Sequence, residues 1–249
     1  MVSFEAYAAA LRPVVDKVLD TARGGVSAAA DLVTASLRRG GVLQTFGAGH
    51  SEAFAMELAG RAGGLVPTNR LAIRDIVLYG DEPREVLEDQ NLERDPSIAH
   101  RIYGLAAPAP PDVFVVASQS GINGLVVELA ALVKERGHHL IAVTSVEHTA
   151  RVASRHPSGQ RLADIADVVL DNGAPYGDAL LPLEGGGAVC AVSSVTSALL
   201  AQVLTAEVVR RFHAAGEVAP TYLSANVPGG DEHNQALESR YAGRIRRGA

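Results

Sequence analysis

The sequence predicts a three-layer α/β/α fold with a mostly parallel sheet, preceded by an N-terminal helical hairpin. Short β-rich apolar runs recur at "GVLQTF" (41–46), "DVFVVA" (112–117), "HLIAVT" (139–144) and "DVVL" (167–170), each bounded by turn residues. Helical periodicity fills the intervals at about 50–62, 122–136 and 147–155. Such alternation places helices on both faces of a parallel sheet. The composition, 47% hydrophobic and 20% charged, is that of an ordinary globular chain.

Taken in order, residues 3–22 and 26–39 read as two helices, with "ARGGVS" between them and Ser27 as the N-cap of the second. The first strand follows at 41–46. Region 65–105 holds a strand near 71–78 and a helix around 96–106, with a polar connection between. "APAPPD" (107–112) is a stiff surface connection into the central strand, not a domain boundary. Residues 186–214 read as one long, nearly all-apolar helix, buried in the core or in a subunit contact. There are no repeats. The chain reads as a single domain over 1–249, with N-terminal helices at 1–39, a core at 40–215 and a C-terminal segment at 216–249.

At 249 residues the chain buries on the order of three quarters of its unfolded surface and needs no staple. Its lone Cys190, within "GGAVCAVSSV", excludes an intrachain disulfide and reads as a small buried hydrophobe in a cytoplasmic protein. "MVSFEAYAAALRPVV" lacks the basic start and apolar stretch of a signal peptide, and no run approaches a membrane span. A net charge of −6 argues against nucleic acid, the basic tail "RYAGRIRRGA" reading as a solvated helix end.

The chemistry is concentrated at strand ends, where open parallel sheets bind ligands. Gly47-Ala48-Gly49-His50-Ser51, Ser118-Gln119-Ser120-Gly121 and Thr144-Ser145 each end a strand and open a helix. Free N–H groups at helix starts, with serine hydroxyls around them, suit a phosphate. Any one loop could be mere helix capping; three at successive strand ends point to a ligand. A dinucleotide fingerprint fails, because Glu52 stands where the third small residue belongs and the expected acidic region reads "VPTNR". No G-K-[ST] occurs in these loops, and no histidine pair has metal-ligand spacing, so neither a cofactor nor a metal is expected.

"GAGHS" at 47–51 and "SQSG" at 118–121, each after an apolar strand, together resemble the sugar isomerase (SIS) phosphosugar-binding domain, over about residues 40–215. With "NVPGGDEHNQAL" (226–237), the whole chain resembles the stand-alone bacterial SIS proteins. The superfamily includes phosphoheptose isomerase, the isomerase half of glucosamine-6-phosphate synthase, N-acetylmuramic acid 6-phosphate etherase and sugar-phosphate-sensing transcription regulators. The resemblance implies phosphate and sugar contacts from Ser118, Gln119 and Ser120, with Ser51 matching the serine of the first loop; Gly49, His50 and Ser145 of the strand-end loops are further binding candidates. Asn123 falls where the synthase places a threonine ligand. "ELAGR" (57–61) resembles the E-L-T-G-R of phosphoheptose isomerase, which implies an acid/base role for Glu57. Glu184 in "PLEGGGA" resembles the glutamate before the long helix of the synthase and etherase.

One departure is clear. Phosphoheptose isomerase has a histidine on the long helix, whereas 186–212 contains none; His233 in "GGDEHN" is the candidate replacement. The expected function is binding of a phosphorylated sugar, with aldose–ketose isomerisation or related acid/base chemistry. Etherase-type elimination from an amino-sugar phosphate and non-catalytic sensing remain open. The resemblance, the amphipathic N-terminal pair and the apolar long helix imply a dimer or tetramer.

Overall fold

The computed structural model describes residues 2–246. Five parallel strands form the central sheet: β1 (Leu43–Gly47), β2 (Thr68–Leu71), β3 (Val113–Ala117), β4 (His139–Thr144) and β5 (Val168–Asp171). Their spatial order is β2-β1-β3-β4-β5. Every residue of β1 and β3 is buried, as strands covered on both faces require.

Alternation along the strands divides the core. Phe46, Leu71, Phe114, Val116, Leu140 and Ala142 pack with α5 (Ser97–Ala106), α6 (Gly124–Glu135) and α8 (Leu162–Ile165). On the opposite face, Leu43, Val113, Val115, Ile141, Val143 and Leu170 meet α2 (Arg23–Arg38), α3 (Glu52–Leu58) and α9 (Ser193–Ala214). Helix α2 buries Val26, Ala29, Ala30, Val33 and Leu37, an i, i+3/i+4 stripe directed at the sheet. Two short helices, α4 (Asp75–Leu78) and α7 (Val146–Ala150), follow β2 and β4. This is the three-layer parallel architecture the sequence predicts.

The details differ in instructive places. Helix α1 (Phe4–Thr21) is capped by the Ser3 hydroxyl, which accepts from the Ala6 N–H at 3.1 Å. Ala22 alone separates it from α2 and is itself helical (φ −77°, ψ −13°), so Gly24 and Gly25 lie inside α2. Ser27 is therefore not a cap: its hydroxyl accepts from Arg211 Nη2 at 2.8 Å, tying α2 to α9. The strand expected at 71–78 is β2, ending at Leu71, with α4 occupying 75–78.

The largest correction concerns 186–214. The helix begins only at Ser193, behind an antiparallel hairpin of β6 (Ala179–Pro182) and β7 (Ala188–Ala191). Gly185, Gly186 and Gly187 all take positive φ (91°, 108° and 82°), which turns the chain back where L side chains would be strained. Cys190 lies on β7 and is exposed, contrary to the buried hydrophobe expected. Apolar content alone could not separate a small-residue hairpin from a helix start.

The C-terminal segment carries α10 (Gly230–Glu238) and returns to the sheet. Asp112, just ahead of β3, accepts from the Val42 N–H (2.9 Å), Gln44 Nε2 (2.9 Å) and the Ala109 N–H (3.1 Å). Arg244 pairs with this fully buried carboxylate, and the Arg246 N–H donates to Asn69 Oδ1 at 3.0 Å. The tail expected to be a solvated helix end is thus tied to the sheet through Arg246; Arg247 to Ala249 lie outside the described residues.

Candidate active site at the switch point of the sheet

β1 and β3 are neighbours, with Gly47 opposite Ala117, but their helices leave in opposite directions. After β1 the chain enters α3, whose Phe54 and Leu58 pack on one face; after β3 it enters α6, whose Leu125 and Leu129 pack on the other. Such a switch point opens a crevice beyond the carboxyl ends of the strands. The turn after β1 is tight enough to need glycine. A Cβ on Gly47 would stand 2.2 Å from the Ser51 carbonyl oxygen.

Between the two loops lies a small cavity of about 10 Å³, lined by His50, Ser51, Ser118, Gln119, Asn172, Ser193, Ser194 and Ser197 around Phe54 and Val143. That volume admits roughly one water-sized group. Its polar lining consists of hydroxyls, carboxamides and an imidazole, all able to donate. Ser118, 8% exposed, accepts from the Gly121 N–H at 3.2 Å, and its own hydroxyl proton has no protein acceptor among the described residues. Ser197 is equally buried, and its hydroxyl has no partner among the described residues.

A relay of carboxamides orients the deepest donor. The Ala174 N–H donates to Asn172 Oδ1 at 3.1 Å, so the Asn172 amide must donate, and it does so to Gln119 Oε1 at 2.8 Å. Gln119 Nε2 is left buried and unpartnered. A buried donor without an acceptor costs about 1–3 kcal/mol, so this arrangement is adverse unless a ligand oxygen fills it.

The loop after β3 is held by its carbonyls. Gln119 O accepts from the Ser145 N–H (3.2 Å), Ser120 O from Thr149 Oγ1 (2.8 Å), Gly121 O from the Leu162 N–H (2.8 Å) and Ile122 O from the Arg155 N–H (2.9 Å). The N–H groups of Gln119, Ser120, Ile122, Asn123, Gly124 and Leu125 have no partner among the described residues. With the oxygens committed to the 145–162 segment, the loop and the start of α6 present unpaired amides, an anion-binding arrangement.

Of the residues expected at the site, His50, Ser51, Ser118 and Gln119 line the cavity. Ser120 and Asn123 belong to the same loop but not to the cavity wall. Gly49 lines a second, roomier cleft of about 480 Å³ on the other side of the turn, with Glu52, Arg74, Asp89, Gln90 and Glu93. Arg74 and Glu52 form an ion pair there at 2.7 Å. Ser145 is fully buried and spends its hydroxyl on structure, donating to Ala174 O at 2.6 Å and capping α7.

The three acid/base candidates stand apart from the cavity. Glu57 lies on α3 three positions beyond Phe54, where it pairs with Arg61 and accepts from Gln202 Nε2 of α9 at 2.5 Å. Glu184 is exposed at the tip of the β6–β7 hairpin. The His233 ring bonds the Thr221 carbonyl at 2.9 Å, and Thr221 bridges Leu65 ahead of β2, on the amino-terminal side of the sheet. His50 is the one ionisable side chain on the cavity wall among the described residues.

Sequence reasoning missed Asn172, Ser193, Ser194 and Ser197. Asn172 follows β5 and obeys the strand-end rule already applied to three other strands. The serines open α9, a start hidden by placing the helix at 186. Asp178 fixes that start, accepting from the Ser193 N–H (2.8 Å) and Ser193 Oγ (2.6 Å). Among the described residues no group of three or more His, Cys, Asp or Glu is arranged to hold a metal ion, and no helix is long and apolar enough to cross a membrane.

Three comparisons place this geometry. A UPF0309 protein of Listeria monocytogenes is 38% identical over 236 residues, covering 94% of this chain and 95% of that one. A phosphoheptose isomerase from Francisella tularensis superposes with a TM-score of 0.58 at 15% identity, covering 84% of this chain and 98% of its own. The NanR protein of Vibrio vulnificus, solved with ManNAc-6P, superposes with a TM-score of 0.52 at 14% identity, over 97% of this chain and 69% of its own. At those identities the two structures establish a shared fold. The SIS domain profile itself matches residues 6–145, more than half the chain, and with the full-length UPF0309 relatives it shows that this protein belongs to the SIS domain family.

Proposed function

We propose that the protein binds a phosphorylated sugar at the β1/β3 switch point and moves a proton at its carbonyl end. The observation that carries this reading is a donor-rich loop: six backbone amides, the Ser118 hydroxyl proton and Gln119 Nε2, all in the loop after β3 and the start of α6, lack an acceptor among the described residues. An acceptor-rich, anionic head group satisfies such an array, and the sugar itself takes the larger space beside it. A phosphoheptose isomerase and a NanR protein complexed with ManNAc-6P on the same fold support the ligand class.

In the open-chain sugar a base removes the C2 proton, and the electron pair shifts to give an enediol(ate). Return of the proton to C1 completes isomerisation, whereas loss of a C3 substituent completes elimination. His50 is placed on the cavity wall for proton transfer, with Glu57 next along α3. Glu184 and His233 then serve the cavity of a neighbouring copy. Exposed apolar surface on α1 supports an oligomer: Val18 is its one buried residue, and Phe4 is 82% exposed.

Sensing without turnover is the second reading, favoured by the absence of all three predicted acid/base residues from the wall of their own chain's cavity. Incubation with hexose, heptose, amino-sugar and muramic acid phosphates in deuterium oxide, followed by NMR at C2, separates the two. Deuterium incorporation is expected for at least one sugar. Tight binding with no exchange by any sugar establishes the sensor, and failure to bind any of them overturns the phosphosugar reading.

A further inference from the structure

The sequence describes a phosphate cradle with no lysine, yet the folded chain brings a cation to it. Arg155, from the segment between α7 and α8, donates through Nη1 to Asn123 Oδ1 at 2.9 Å and through its backbone N–H to Ile122 O at 2.9 Å. These two attachments hold the guanidinium at the N-cap of α6. Asn123 is the N-cap of α6, but its side chain makes no capping bond and its Oδ1 is taken by the arginine. The first amides of the helix are thereby left free.

The placement is electrostatically adverse for the chain alone. A helix start carries a partial positive charge and favours anions. Arg155 adds a full positive charge there, and no carboxylate lies within ion-pair distance of it among the described residues. Two buried donors in the same loop point to the missing partner: the Ser118 hydroxyl proton, on a side chain 8% exposed, and Gln119 Nε2. The remaining Arg155 N–H groups, the first amides of α6, the Ser118 hydroxyl proton and Gln119 Nε2 are all donors without a protein acceptor among the described residues.

Resting on the phosphosugar reading above, we infer that Arg155 is a phosphate ligand, supplying the charge that selects a phosphorylated over a neutral sugar. One of its five N–H donors holds Asn123, and the remainder are free for phosphate oxygens. The arginine also holds Asn123 away from the helix amides, so a single residue clears the anion site and charges it.

The test is a ³¹P NMR titration of the full chain with inorganic phosphate, at pH 8, where phosphate is mostly dianionic, and at pH 5.5, where it is mostly monoanionic. Arg155→Gln should weaken binding about tenfold at pH 8 and less at pH 5.5, as expected when a charge-assisted hydrogen bond is lost. Arg155→Lys should recover part of the affinity. Sulfate, dianionic throughout, controls for any effect of pH on the protein itself; its loss on substitution should be the same at both pH values. Equal phosphate affinity in Arg155→Gln and wild type overturns the inference, as does a loss of the same size at both pH values and in Arg155→Lys. Failure of the wild type to bind phosphate or any sugar phosphate overturns the underlying reading instead.

Discussion

Asn172 donates its amide to Gln119 Oε1 at 2.8 Å, joining the end of β5 to the loop after β3. Because the Ala174 N–H already fixes Asn172 Oδ1, the direction of this bond is set, and Gln119 must turn its own amide into the cavity. Asn172→Asp reverses the relay, since a carboxylate can only accept and Gln119 Nε2 turns toward it. The expected result is phosphosugar affinity about tenfold weaker, ~1.5 kcal/mol, with little change in stability. Calorimetry on Asn172→Asp, Gln119→Ala and the double variant should show losses that do not add.

Gly47 admits no side chain, its Cβ position lying 2.2 Å from the Ser51 carbonyl oxygen and 2.5 Å from the carbonyl carbon. Gly47→Ala must displace the turn that carries His50 and Ser51. Urea denaturation should show a loss of about 2 kcal/mol, the scale of overpacking. Ligand affinity should fall with it.

Asp112 organises the amino-terminal ends of β1 and β3 with three hydrogen bonds, and Arg244 pairs with it. Asp112→Ala strands the Val42 N–H and Gln44 Nε2 in a buried setting and leaves the half-buried Arg244 guanidinium without its partner. A loss of about 3–5 kcal/mol is expected, enough to unfold much of the protein at 37 °C. Thermal unfolding by circular dichroism checks it.

Glu128 of α6 bonds His156 and His100 on its two oxygens, both at 2.8 Å. The His156 bond, with that from His100, holds its carboxyl below the usual glutamate range. A depressed folded pKa contributes stability that is full above the unfolded value, ~4.3, and is lost as pH falls through the folded value. Glu128→Gln should therefore be less stable than wild type at pH 6–7, by about 0.5 kcal/mol given solvent screening. The gap should close once acid protonates the wild-type carboxyl, as a series of melting curves from pH 7 to pH 3 will show.

An apolar groove between α1, α2 and α9, lined by Val18, Leu19, Ala22, Val26, Leu199 and Val203, adjoins the exposed face of α1. In the oligomer proposed above, Leu19→Glu removes an apolar contact between copies while costing the single chain little, because Leu19 is 41% exposed. Light scattering should give a multiple of the chain mass for wild type and a shift toward monomer for the variant. A monomeric wild type at micromolar concentration refutes the oligomer.

Much of this was legible in the residues themselves. Strand runs such as "DVFVVA" and "HLIAVT" are apolar because both their faces are covered, and hydrophobic burial is read from composition without knowing the neighbours. The serine loops were visible because small polar residues at strand ends are a local pattern. The sequence therefore determined the fold class, the positions of β1, β3, β4 and β5 and two of the loops at the switch point. Only the tertiary structure decided the rest. Gln119 and Asn172 are 53 positions apart, and Arg155 and Asn123 are 32 apart, so the donors they orient exist only once β3, β4 and β5 lie side by side. Glu184 and Cys190 fell on an exposed hairpin, because three positive-φ glycines reverse a stretch whose apolar content reads as helix. Hydrogen bonds are directional and act over about 3 Å, so which side chains meet is settled by packing rather than by residue type.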